Sequence, residues 1–307
     1  MADYAVAIVG GGPAGLVAAR YALHAQIPVA LVAPSLGGKV NYRFALRGMP
    51  PVDTVWGASV VHEFEGFVAE HPQVFIQQET TKIERLADGR FRIRLADGAS
   101  LDARTVILTT GASPQRLYVP GELEFTMNGV SYSAISHAPF FRDRDVAVVG
   151  GGERALIASL ELATLARQVY LIAANPQAMA ELPAARRVLK HPKVSVFRHW
   201  EVQQIVGDGF VEGINLVGAN GETRFLAVEG VFVQFSLMPN IEMVRELVEL
   251  DHNGHVQVNE LCETSVPGFF AAGDVSSVHA EQVMVALGEG AKAALSAWQY
   301  LATNNFL

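Results

Sequence analysis

The sequence predicts an α/β chain, because two Gly-rich strand-to-helix openings occur in it: AVAIVGGGPAG from Ala5 to Gly15 and DVAVVGGGERA from Asp145 to Ala155. In each, small and β-branched residues make a buried parallel strand, and glycines then turn the backbone so that a pyrophosphate can rest on a helix N-terminus. The other observations concern order: an apolar-polar alternation with tight turns follows each opening, and the C-terminal segment has no counterpart in the second half. Together they predict two Rossmann-like dinucleotide-binding domains of the three-layer ββα/βα type, the second inserted into the first. Residues 1–113 plus 242–307 would form one domain and 114–241 the other.

In the first opening Gly10, Gly12 and Gly15 fit GxGxxG around Pro13 and Ala14, and Leu16 to Leu23 continues as a helix. Val29 to Val32 reads as the second parallel strand. Its end, Ala33 and Pro34, lacks the acid that commonly holds a ribose 2′-hydroxyl, which leaves Ser35 or backbone for that contact. Gly37, Gly38 and Lys39 form a further Gly-bearing loop. From Ile83 to Leu101 the pattern alternates around Asp88-Gly89 and Asp97-Gly98, an antiparallel excursion, and Val106 to Leu108 runs as a buried strand into the turn at Thr109 to Ala112. The second half repeats the plan. Gly150, Gly152 and Ala155 fit GxGxxA ahead of a helix from Leu156 to Leu165, then come a strand at Val169 to Ile172, a hairpin region from Val202 to Val228 and a strand at Gly230 to Phe235. Gly268 to Asp274 is a last strand ending in Gly273-Asp274, and Glu281 to Leu301 is a long helix; both are assigned to the first domain.

Composition narrows the class. Half of the 307 residues are hydrophobic, 18% are charged and the formal net charge is −8, so disorder and a nucleic-acid surface are both disfavoured. No uninterrupted apolar stretch is long enough to span a bilayer, and Ala5 to Ala19 lacks the basic flank of a signal peptide, so a cytoplasmic protein is expected. Cys262 is the only cysteine. It has no thiol neighbour for a redox pair and no cluster for a metal, and a structural or surface role is expected.

Taken in order, GGGPAG at Gly10 to Gly15, the Gly37-Gly38 pair, TTGAS at Thr109 to Ser113, VPGE at Val119 to Glu122, TSVPGFFAAGDV at Thr264 to Val275 and QVMVALGEGAKAA at Gln282 to Ala294 resemble the low-molecular-weight thioredoxin reductase family. The resemblance covers nearly the whole chain. It implies that the first domain holds FAD on Gly10, Gly12, Pro13, Ala14 and Gly15, with Ser35, Gly37, Gly38, Lys39 and Tyr42 beside them. It places the ribitol contact at Gly273 and Asp274, the flavin ring at Gln282 and Val283, and further cofactor contacts at Thr110 and Gly111. A helix N-terminus near Glu281 would also stabilise the anionic edge of a reduced flavin. The same resemblance implies an NADPH site on the middle fold and a homodimer.

Two departures from the family pattern stand out. The segment that carries the family's CxxC lines up with GVSYSAISHAPFF, from Gly129 to Phe141, which puts Ser133 and Ser136 at the two sulfur positions and His137 at the following acid. Hydroxyls cannot cycle as a dithiol, so a competent CxxC thioredoxin reductase is not expected. His137 has two readings, a proton-moving residue near neutral pH and a merely hydrogen-bonded one. No nucleophile elbow accompanies Ser133 and Ser136, which argues against a hydrolytic site. In the middle fold, Ala173, Ala174, Asn175, Pro176 and Gln177 replace the family's basic cluster, so nothing there pairs a 2′-phosphate and the domain reads as degenerate. Arg154 in the second turn could contact a phosphate or pair with Glu153 or solvent. Tyr42 could stack on a flavin or simply pack. His279 and Glu281 are further candidates for proton transfer, and Arg186 and Arg187 read as a solvated helix face.

The expected activity is therefore that of an FAD-dependent oxidoreductase passing electrons between its flavin and an external carrier such as ferredoxin or flavodoxin, a quinone or a small molecule. The alternatives are an NAD(P)H-dependent ferredoxin-reductase-like enzyme with unorthodox nucleotide binding, and a non-catalytic flavin-binding redox sensor or scaffold. Another adenine nucleotide, or a second flavin, on the second fold also stays open.

Overall fold

The computed structural model describes residues 3–53, 57–278 and 280–307, which divide into two compact units. One comprises Met1–Asn41, Val55–Ser113 and Met238–Leu307; the other comprises Tyr42–Thr54 and Pro114–Leu237.

In the first unit five strands run parallel in the order Phe75–Gln77, Val29–Ala33, Asp3–Val9, Ser100–Leu108, Phe269–Ala271. Side chains alternate across this sheet, and both faces are covered. Val6, Ile8, Leu31 and Ile107 pack among Leu16 of the helix Pro13–His24, Val61 of the helix Ala58–Ala69 and Ala293 of the helix Val283–Thr303. Ala7, Val9, Val32 and Leu108 pack on the opposite face, with Ile83, Phe91 and Ile93 of an antiparallel meander. That meander, Thr80–Arg85 and Phe91–Leu95, pairs onto the early half of Ser100–Leu108, so a single strand serves two layers. Its turns fall at Gly89 and Gly98, both at positive φ, with Asp88 and Asp97 accepting backbone N–H bonds from residues two further on. The first helix starts at Pro13, three residues earlier than the apolar run announces, because Pro at the first helical position forfeits only an N–H that has no helical partner.

The second unit repeats the three layers. Val130–Ser131, Gly230–Val233, Asp145–Val149, Gln168–Ala173 and Val194–Arg198 form a parallel sheet in that order. Val146, Val148, Leu171 and Phe232 face the helices Glu153–Ala163 and Ala185–Lys190, while Ala147, Val149, Ile172 and Val231 face the antiparallel sheet Trp200–Asp208, Phe210–Gly218 and Thr223–Ala227.

The chain's division differs from a boundary at residue 113 in one respect: Tyr42–Thr54 goes with the second unit. Phe44 and Leu46 are buried against Phe141 in that unit's core, and Ala45 N–H donates to the Met127 carbonyl. These apolar partners lie nearly a hundred residues downstream, out of reach of a local pattern. Met238 to Ile241 goes with the first unit, where Asn240 exchanges backbone and side-chain hydrogen bonds with Thr110 and Gly111.

Candidate functional site

The first Gly-rich turn is shaped by what a side chain would strike. A Cβ on Gly10, which sits at φ +118, would lie 2.3 Å from the Thr109 carbonyl oxygen; one on Gly15 would lie 1.9 Å from the Gly10 oxygen. Gly12 differs, since a Cβ there would meet no atom within 4 Å. It caps the helix Pro13–His24 in extended conformation with no side chain bonding the first turn, so the helix N–H groups face open space. Gly37 N–H donates to the Gly11 oxygen, and the Gly38 Cβ position lies 3.2 Å from the Gly12 Cα, which seats the second glycine loop over the turn. Close glycine packing around an open helix terminus fits the pyrophosphate of a dinucleotide.

The same unit brings the C-terminal residues to that turn. Lys39 Nζ is 2.8 Å from Asp274 Oδ2, tying the glycine loop to the third residue after the strand Phe269–Ala271. Gly273, at φ +76, places its Cβ position 3.4 Å from Ala14 Cβ and donates its N–H to Glu289. Gln282 caps the helix that begins at Val283, two residues later than expected, and both side chains are half-buried. Ser35 is exposed, Gly111 turns at φ +68, and the Thr110 hydroxyl is spent on the Asn240 carbonyl at 2.6 Å. Tyr42 is exposed and belongs to the second unit. Glu281 is half-buried and engaged, and His279 lies outside the described residues.

In the second unit Ser133, Ser136 and His137 do come together. Ser133 caps the short helix Ala134–His137; its Oγ donates to Ser136 Oγ at 3.0 Å and accepts from the Ser136 N–H. His137 is buried, stacked on Phe44, with Nδ1 2.7 Å from Ser131 Oγ. Burial pushes its pKa down to about 4. That value leaves the ring neutral at pH 7, bonded through Nδ1 and packed on Phe44.

The second Gly-rich turn has the first one's form. The Gly150 Cβ position, at φ +148, lies 2.6 Å from the Gln234 oxygen and 3.0 Å from Ala155 Cβ; Gly152 is again open and caps the helix Glu153–Ala163 without a side-chain bond. Arg154 is exposed and has a partner, and Arg186 and Arg187 are exposed on their helix. Ala174, Asn175 and Gln177 are exposed where the family's basic cluster would be.

Several residues escaped sequence reasoning. Glu122 is buried, and its carboxylate accepts the Leu117 and Tyr118 N–H groups and the Tyr132 hydroxyl, which burial and that carboxylate push up to about 12. Gln234 is buried with no hydrogen-bond partner for Nε2; a lone amide at the end of the apolar run GVFVQF was the available signal. Cys262, for which a structural or surface role is expected, did not escape: it is buried, and burial pushes its thiol up to about 11. Among the described residues no cluster of His, Cys, Asp and Glu could hold a metal ion, and no helix is long and apolar enough to cross a membrane.

Known proteins share this architecture. Thioredoxin reductase from Streptococcus pyogenes MGAS5005 superposes with a TM-score of 0.88 at 32% identity, covering 98% of this chain and 99% of its own. Thioredoxin reductase from Giardia duodenalis gives 0.85 at 26% identity, covering 98% and 100%. In sequence, an alkyl hydroperoxide reductase component of Pseudomonas putida is 37% identical over 96% of this chain and 58% of its own length. A Bacillus subtilis (strain 168) protein named NADH dehydrogenase is 36% identical over 97% of this chain and 59% of its own length. The chain thus spans about three fifths of the length of these curated relatives. Residues 4–290 match the pattern of the pyridine nucleotide-disulphide oxidoreductases, and the chain belongs to that family.

Proposed function

We propose that this protein is an FAD-dependent oxidoreductase whose flavin exchanges electrons with an external carrier, a ferredoxin, flavodoxin, quinone or small molecule, and not with a dithiol of its own chain. The family, whose members bind FAD and NAD(P)H, makes the chain an oxidoreductase of the FAD type. The observation that carries the finer reading is the pair Ser133 and Ser136, whose hydroxyls lie 3.0 Å apart at the positions where the resemblance puts two redox sulfurs. Bound FAD supplies the capacity to take up and release electrons. The chain's own part is to hold it: Gly12 and the helix behind it leave N–H groups open to the pyrophosphate, Asp274 takes the ribitol, and Lys39 keeps that carboxylate in place. Gln282 and Val283, at the start of a 21-residue helix, present the positive end of its dipole to the flavin ring.

A specific observation also favours a pyridine nucleotide on the second fold, the unpartnered Gln234 amide beside the Gly150 turn. Similarity to a protein named NADH dehydrogenase supports the same assignment. Anaerobic titration of the purified holoprotein with reduced ferredoxin, NADH and NADPH, watching the flavin absorption band, tests both. Bleaching by at least one donor, followed by reoxidation by a quinone or oxidised carrier faster than by oxygen, is expected. A flavin that no donor reduces, or that no carrier reoxidises faster than oxygen does, would make the protein a binding module.

A further inference from the structure

The carboxyl ends of the second unit's parallel strands form a row. In strand order it runs Gln234, after Gly230–Val233; Gly150, after Asp145–Val149; Ala173, at the end of Gln168–Ala173; and Arg198, at the end of Val194–Arg198. Gln234 N–H donates to the Val149 carbonyl at 2.9 Å, so it flanks the Gly150 turn. On the other side Ala173 and Arg198 are register partners, and the next residue, His199, at φ +63, closes its N–H onto the Ala173 carbonyl at 2.9 Å. With strands about 4.8 Å apart, the row from Gln234 to Arg198 extends over roughly 14 Å with the pyrophosphate turn within it.

Both ends of the row carry unspent donors. Gln234 is only 6% exposed, and its Nε2 has no partner. Leaving an amide donor buried and unpaired is costly, and a ligand at the turn would relieve the cost. Arg198 is exposed, and among the described residues no hydrogen bond or ion pair engages its guanidinium. In such folds the end of the second strand faces the adenosine ribose, where an acid favours a free 2′-hydroxyl and an Arg accommodates a 2′-phosphate. Here the second strand ends in Ala173, Ala174 and Asn175, which supply neither. The cation stands one strand over.

We propose that Arg198, from the third strand, reads the 2′-phosphate of an adenine dinucleotide held on the Gly150–Gly152 turn, so that the second fold prefers the phosphorylated nucleotide although the loop after its second strand has no basic residue. This rests on the assignment of a pyridine nucleotide to that fold. A guanidinium can bond two phosphate oxygens at once, which suits it to the task.

Equilibrium binding to the FAD-loaded protein tests the proposal without turnover, using 2′,5′-ADP against 5′-AMP and NADPH against NADH. We expect the 2′-phosphorylated member of each pair to bind at least tenfold more tightly, Arg198→Ala to remove that preference while leaving 5′-AMP and NADH unchanged, and Arg198→Lys to retain part of it. Gln234→Leu should weaken both dinucleotides alike. Equal affinity within each pair, or a preference that survives Arg198→Ala, would overturn the role of Arg198 and leave the nucleotide assignment standing. Binding of none of the four would overturn both.

Discussion

The Phe44 ring lies flat on the His137 imidazole, with centroids 4.2 Å apart and planes 18° from parallel. A residue from the first quarter of the sequence thereby closes over the segment that holds Ser133 and Ser136. The contact helps bury the imidazole, and that burial lowers its pKa because the charged imidazolium would lose its hydration.

That burial makes stability depend on pH in one direction. The folded pKa of His137 is about 4, below the ordinary 6.5, so the unfolded chain takes up the proton first. Its contribution is fully favourable above pH 6.5 and declines as pH falls toward 4, by on the order of 3 kcal/mol in total. Urea unfolding of the parent and of His137→Phe and His137→Gln between pH 7.5 and 4.5 should show a flatter profile in both variants. Identical slopes would assign the effect to other groups.

The serine pair invites restoration of sulfur. Ser133 Oγ and Ser136 Oγ are 3.0 Å apart, and a disulfide needs sulfurs about 2.05 Å apart on longer Cβ–S bonds, so little movement is required. The double variant Ser133→Cys/Ser136→Cys should close an intramolecular disulfide under air, seen as a loss of two hydrogens in intact mass and of two titratable thiols. Thiols that stay free under a mild oxidant would mean that the segment does not hold this spacing in solution.

Gly12 separates folding from cofactor binding. Because a Cβ there meets nothing within 4 Å, Gly12→Val should fold and melt like the parent yet purify without flavin, its side chain occupying the space left for the pyrophosphate. Gly15→Val, whose Cβ would lie 1.9 Å from a backbone oxygen, should instead lower the melting temperature. Asp274→Ala should weaken FAD by about tenfold, or ~1.4 kcal/mol, and excess FAD should restore occupancy. A Gly12→Val protein that retains full flavin would remove this turn from the FAD site.

Acid should loosen the first unit through Asp102. Its carboxylate is buried and takes a two-pronged bond from Arg92, Nε at 2.8 Å and Nη2 at 2.9 Å, which holds its pKa below the usual 3.8. Such a group stabilises above the unfolded-state value and loses that contribution as pH falls through the folded one. Asp102→Asn should cost about 1–3 kcal/mol at pH 7 and flatten the acid limb of the stability curve below pH 4. An unchanged acid limb in thermal melts would show that the pair contributes nothing there.

Local chemistry announced much of this molecule. The strand-turn-helix openings, the Asp-Gly turns of the meander and the long final helix depend on neighbours in sequence, and each is found where residue order puts it, within a few residues. What stayed hidden depends on distant partners. Phe44 and Leu46 are buried in a core around Phe141, nearly a hundred residues downstream, which no local pattern reveals. Glu122 stands in the sequence only as the last residue of VPGE, and only folding brings Tyr132 and two backbone N–H groups to it. Arg198 became notable only through its register with Ala173.

The nesting of one unit inside the other sets an order of events during synthesis. The strand Phe269–Ala271 pairs with Val106 to Leu108, and a Cβ on Gly290 of the last helix would lie 2.1 Å from the Ala14 oxygen. The first Gly-rich turn thus waits until residues 269 to 290 have left the ribosome before its supporting layer arrives. The sheet strands and helices between Pro114 and Leu237 can close well before that. A chain stalled on the ribosome before residue 269 is therefore expected to have its second fold assembled while its first still lacks the strand Phe269–Ala271 and the last helix.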